Sequence, residues 1–280
     1  MKIAPRPLLA ALIAAVALSA CVPYPGQEGA ADESAALTSI TPGAFPGPDA
    51  GAAHAQTLHF EVSGYGIAET QRAADDAEAS YNRIMMDTNL YSFKPAGLYK
   101  IVIYGSQDEF RKKTGQPSWS GGVSVGNAIY SFAGLALNRT LAHEMTHLIF
   151  FEYMGRMNPD HRWINEGLAV YEEEKAAAAQ GYRGDLYADV RGLMRAQPVA
   201  MDQMIKLTPA TERERAVSVW YAQSESMVHF MIDRGGRFGF AQFLGALHDG
   251  KGWDDAVSSS FSGAWRGLAD FEQAWQRSLQ

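Results

Sequence analysis

The chain has 280 residues, 31 acidic against 24 basic side chains, a formal charge of −7 and a single cysteine. An acidic chain with no basic run excludes nucleic acid and anionic lipid headgroups as electrostatic partners. One thiol excludes an internal disulfide framework.

At the N-terminus, Lys2 and Arg6 form a short positive region ahead of an apolar run over residues 8–18. That run is shorter than the roughly 20 residues that span a bilayer. Leu18-Ser19-Ala20-Cys21 resembles the lipobox of bacterial lipoprotein signals. The resemblance implies cleavage after Ala20, lipidation of Cys21 and attachment of the mature chain to the membrane by its acyl chains. An ordinary secretory signal cut near Ala20, or an uncleaved anchor, remains as the other reading. A lone thiol in an exported chain has no disulfide partner and needs another reason to exist, which favours the lipoprotein. By the same resemblance, Val22 in place of an aspartate directs a Gram-negative lipoprotein to the outer membrane, facing the periplasm. Loss of residues 1–20, which hold Lys2 and Arg6 and no acid, takes the formal charge from −7 to −9.

Residues 21–56 are rich in Pro, Gly, Ala and Ser without apolar periodicity and read as a flexible tether. Residues 57–280 suit one domain with a substantial core. Within it, residues 57–62 (TLHFEV) alternate as a strand, and residues 67–86 form an amphipathic helix. Residues 98–104 (LYKIVIY) are the clearest strand, followed by a helix over residues 106–113. Residues 121–132 (GGVSVGNAIYSF) give one or two strands with a glycine bend. This order builds a small mixed sheet ahead of the helices, an α+β class.

The next helix, residues 139–154, has Asn138 as its expected N-cap, Gly155 as its stop and an apolar stripe of Leu141, Ala142, Met145, Leu148 and Ile149. It carries His143-Glu144-Met145-Thr146-His147, a match to H-E-x-x-H. Four helical positions amount to about 40° of rotation and about 6 Å of rise, so His143 and His147 stack on one face and can reach one metal ion. Glu144 lies aside from that pair, near enough to take a proton from a water that the metal activates.

A catalytic zinc needs a third protein ligand. Glu166 lies in Trp163-Ile164-Asn165-Glu166-Gly167-Leu168-Ala169, among apolar neighbours, where a buried carboxylate requires a cation. The Glu166 helix runs to about Ala179. Glu172, Glu173 and Glu174 on it read as a solvated face. Helices follow over residues 185–196, 201–207, 218–234, 238–248 and 265–279.

HEMTH followed by WINEGLA resembles the gluzincin metallopeptidases, specifically the peptidase MA-like family. Further stretches resembling that family are residues 220–228 (WYAQSESMV) and the closing region from Gly245 to Trp275. The resemblance implies a zincin-like fold, one Zn2+ per chain, His143, His147 and Glu166 as ligands and Glu144 as general base. It assigns Tyr221 a hydrogen bond to the tetrahedral intermediate. It also implies an edge strand, placed at residues 123–130, that pairs with extended substrate. One departure stands out. The family usually carries a carboxylate four residues after the ligand glutamate, orienting the first histidine, and here that position is Val170. Glu172, Glu173 or a backbone carbonyl are the available substitutes.

These features point to a zinc-dependent peptidase of the bacterial cell envelope, with protein or peptide substrates, held to the membrane by an N-terminal lipid anchor. The alternative is a catalytically inactive envelope lipoprotein that uses the fold as a binding or assembly module. A peptidoglycan stem peptide as substrate ranks lower, since nothing resembles a wall-binding domain. Of the other histidines, His161 reads as a turn residue, His54 and His248 as surface residues, and His229 as a core or surface residue with a place beside Tyr221 as the lesser option. Trp220, Phe230 and Met231 read as core.

Overall fold

The computed structural model describes residues 45–207 and 214–280; Cys21, the expected signal and most of the expected tether lie outside the described residues. Five strands make one mixed sheet in the order β1-β2-β3-β5-β4: β1 (Ala53–Gln56), β2 (Phe60–Gly64), β3 (Tyr99–Tyr104), β4 (Gly122–Val125) and β5 (Ala128–Phe132). β2, β3 and β5 run parallel, and β1 and β4 pair antiparallel at the two edges.

Period-two alternation covers both faces of this sheet. Ile101 and Ile103 of β3 join Phe60, Val62 and Ile129 in the main core, beneath α1 (Ile67–Thr88) and α3 (Leu137–Met154). Tyr104 faces the other way, with Val123, Ala128 and Tyr130, against Phe110 of α2 (Gln107–Thr114). Phe45 completes that smaller cluster, its ring edge-on to Tyr130 at 5.1 Å. The carbonyl of Pro46 accepts from the Tyr104 hydroxyl at 2.7 Å, and Lys113 reaches Asp49 at 2.8 Å. Residues 45–56 are therefore docked on the domain, with β1 inside the stretch expected to be a flexible tether. Their backbone is satisfied by β2 and by side chains distant in sequence, which composition does not reveal.

Most elements lie within a few residues of their expected places. Asn138 is a correction: α3 begins at Leu137 with Ala136 at the cap position and no side-chain cap, because the turn leaving β5 already starts the helix. Gly155 does end α3 in the left-handed conformation, at φ 64°. The second correction concerns the edge strand. Gly126, at φ 61°, lets the chain turn between β4 and β5. Of the stretch expected as the edge, only the β4 part lies there, and β5 is paired on both sides.

After a turn at Pro159–His161 come α4 (Arg162–Ala179), α5 (Ala188–Ala196) and α6 (Met201–Lys206). α7 (Glu214–His248) is broken at Gly236, whose φ of 76° and ψ of 153° interrupt the helical path between the two helices expected there. α8 (Trp253–Ser260) was not expected from the sequence, and α9 (Leu268–Ser278) closes the chain. α3 packs along α4, and α4 along α7. Because α3 sits between sheet and helices, it is buried all round from Thr140 to Phe150, beyond its apolar stripe. No described helix is long and apolar enough to cross a membrane.

Candidate metal centre

α3 presents His143 and His147 from consecutive turns, and their rings lie 4.8 Å apart, nearly perpendicular. α4 lies alongside and brings in Glu166 from 19 positions past His147 in sequence. Glu166 Oε2 is 3.8 Å from His143 Nε2 and 3.6 Å from His147 Nε2. Donor atoms around a tetrahedral zinc, with bonds of about 2.05 Å, stand about 3.3 Å apart. The three atoms are thus spaced for one ion, with a small inward adjustment. All three are buried, and none has a hydrogen-bond partner among the described residues. Buried donors and acceptors are ordinarily satisfied, so three orphaned atoms aimed at one point fit a cation. These three residues form the only group with such a geometry among the described residues.

Proton affinities in the cluster show the same competition. Burial favours a neutral His143, but its hydrogen bond to Glu173 and the charges of Glu173, Glu144 and Glu166 outweigh that and hold it up at about 9. His147 is pushed down to about 3 by burial and by the neighbouring His143. Burial raises Glu166 to about 7, with Glu144 adding to it and His143, Arg162 and a hydrogen bond from Tyr221 opposing it. The cluster retains protons that a divalent cation would displace.

Glu144 is 1 % exposed and lies close enough for its charge to act on His143 and Glu166. The edge strand begins against it: a Cβ added at Gly122 would stand 3.2 Å from Glu144 Cγ and 2.8 Å from Thr140 Cγ2. A residue without a side chain lets β4 lie over the base of α3. Tyr221 is buried on α7, its ring stacked with that of Tyr187 at 6.5 Å, and it acts on Glu166 by lowering that carboxyl's proton affinity.

Two polar residues flank the triad: Asn165, which was not anticipated, and Glu173, one of the substitutes offered for the carboxylate missing at Val170. Asn165 places Oδ1 3.0 Å from His147 Nδ1, and Glu173 places Oε2 3.0 Å from His143 Nδ1. Glu172 and Glu173 are buried and Glu174 is half-buried against Arg191, so the expected solvated face is a correction. α1, α3 and α7 surround α4 there, and each carboxylate has a cation or histidine partner. The signal for Glu173 was legible: seven positions after Glu166 is nearly two whole turns, hence the same face. His229 lies elsewhere, with Glu225 at 3.3 Å and its ring against Tyr171. His161 closes the turn before α4 and packs edge-on to Trp253. His54 and His248 are exposed, and Trp220 and Met231 are core.

A family model described as the Peptidase MA superfamily matches residues 76–280. No curated protein matches the chain. The matched span contains all the residues of the centre, while β1, β2 and the start of α1 precede it.

Proposed function

The chain belongs to the Peptidase MA superfamily, and on that premise we propose that it is a zinc-dependent peptidase of the bacterial cell envelope. The observation that carries the reading is the convergence of His143 Nε2, His147 Nε2 and Glu166 Oε2, buried and unpartnered, beside a fourth buried group, Glu144. Zinc held there supplies Lewis-acid polarisation of a carbonyl and a water acidic enough to be deprotonated near neutral pH.

The protein's own residues do the rest. Glu144 takes the proton of the attacking water and delivers it to the leaving amine nitrogen. The outer side of β4 is unpaired among the described strands and runs beside Glu144, so an extended peptide can add to it as a further strand. Tyr221 steadies Glu166 and is the assigned donor to the carbonyl oxygen as it gains charge. The non-catalytic alternative is not favoured, because the family to which the chain belongs is one of peptidases.

The test is metal content and hydrolysis together. Purified full-length protein should hold one zinc per chain and cleave a peptide library. A chelator should abolish cleavage and zinc should restore it. Cleavage that survives complete zinc removal would overturn the reading.

We further propose export and lipid anchoring through Cys21, supported by the lipobox-like LSAC and the lone thiol. Cells fed labelled palmitate should label the wild type and not Cys21→Ser, which should fractionate away from the membranes. Equal labelling of both proteins would remove the anchor.

A further inference from the structure

The position expected to carry a histidine-orienting carboxylate holds Val170, which is fully buried. One helical turn further along α4, Glu173 does reach the histidine. Its Oε2 lies 3.0 Å from His143 Nδ1, and its Oε1 lies 3.9 Å from Nε of Arg139. Arg139 belongs to α3, four positions before His143, so the guanidinium and the imidazole flank one carboxylate from the same helix. Arg139 Nε is buried and makes no hydrogen bond among the described residues, and Glu173 is 4 % exposed. Glu172, the neighbouring candidate, instead turns towards α1 and meets Arg83 at 2.9 Å.

Resting on the reading of the triad as a zinc site, we propose that Glu173 is the positioning residue for His143 and that Arg139 holds Glu173 in place. The histidine-orienting role is thereby moved three residues along α4 and shared with a cation of α3. Nδ1–H of His143 donates to Glu173, which leaves the lone pair of Nε2 facing the metal position and fixes the ring's rotation. A carboxylate acceptor also makes the imidazole a stronger donor. His147 has only the neutral amide of Asn165 at the equivalent nitrogen, so the two ligand histidines are unequal. Arg139 opposes the cost of burying the Glu173 charge and keeps its carboxylate from swinging away from His143.

The experiment measures zinc affinity of the full chain, extracted in detergent, by competition with a chromophoric chelator. Glu173→Gln should bind zinc 10- to 100-fold more weakly, and Arg139→Gln should shift affinity in the same direction by a smaller factor. Glu172→Gln should keep wild-type affinity. A purely structural role for Glu173 is separated by melting: the metal-free midpoint should change little, while the rise on adding zinc should shrink. Should Glu173→Gln fail to fold, Arg139→Gln at the partly exposed end of the pair carries the same test. Wild type that binds no zinc would remove the metal reading itself. Wild type that binds while the Glu173 and Arg139 variants bind as tightly would overturn this proposal alone.

Discussion

Glu144→Gln should retain one zinc per chain and hydrolyse peptides on the order of 10²- to 10⁴-fold more slowly, the range that general-base catalysis contributes. The substitution preserves size and buried contacts, including the approach of Gly122 to Glu144 Cγ. It changes only the capacity to accept a proton. Glu144 is not one of the three converging donors, so metal content should be unaffected. Metal analysis and turnover on the same sample distinguish the outcomes. Loss of zinc with loss of activity would make Glu144 a structural part of the centre, and wild-type turnover would place the base elsewhere.

Gly167→Ala should destabilise the domain strongly. A Cβ there would lie 2.4 Å from the carbonyl oxygen of Ser224, 2.7 Å from its carbonyl carbon and 2.8 Å from Val228 Cγ2. Two of these atoms are backbone of α7, so relief requires α4 and α7 to separate by about 1 Å, and overpacking of this kind costs about 3 kcal/mol. For a domain of this size that corresponds to a fall in melting temperature of about 6–12 °C. Glu166 is the adjacent residue, and a shifted α4 carries it away from the histidines, so zinc affinity should fall as well. Gly192→Ala in α5 is the control, because a Cβ there meets nothing within 4 Å. It should melt at or slightly above the wild-type temperature. Equal melting of the Gly167 and Gly192 variants would mean that α4 and α7 are not in such close contact.

The three converging residues were legible to different degrees for different reasons. His143 and His147 share one helix, and their spacing alone puts them on one face. Glu166 is on another helix and was reached through the W-I-N-E-G-L-A pattern and its apolar surroundings. Glu173 obeyed the same helical period and stood among the substitutes for the carboxylate missing at Val170, yet it also read as part of a solvated face, because three adjacent glutamates resemble one unless the flanking helices are known. Asn165 gave no signal, since an amide beside a glutamate has no distinctive pattern. The docking of residues 45–49 was missed for a related reason: Tyr130, Tyr104 and Lys113, which hold Phe45, Pro46 and Asp49, are some sixty to ninety positions away in sequence.

Covalent geometry and local periodicity therefore determined the α+β order, the helical presentation of His143, Glu144 and His147, and the alternating strands of the sheet. Tertiary structure alone decided which carboxylate meets His143, that β4 rather than the longer stretch forms the edge, and that a glycine must sit where α4 crosses α7. The physical difference is range. Helical and strand periods act over a few residues, whereas burial and partner choice depend on which distant surfaces close over a given face.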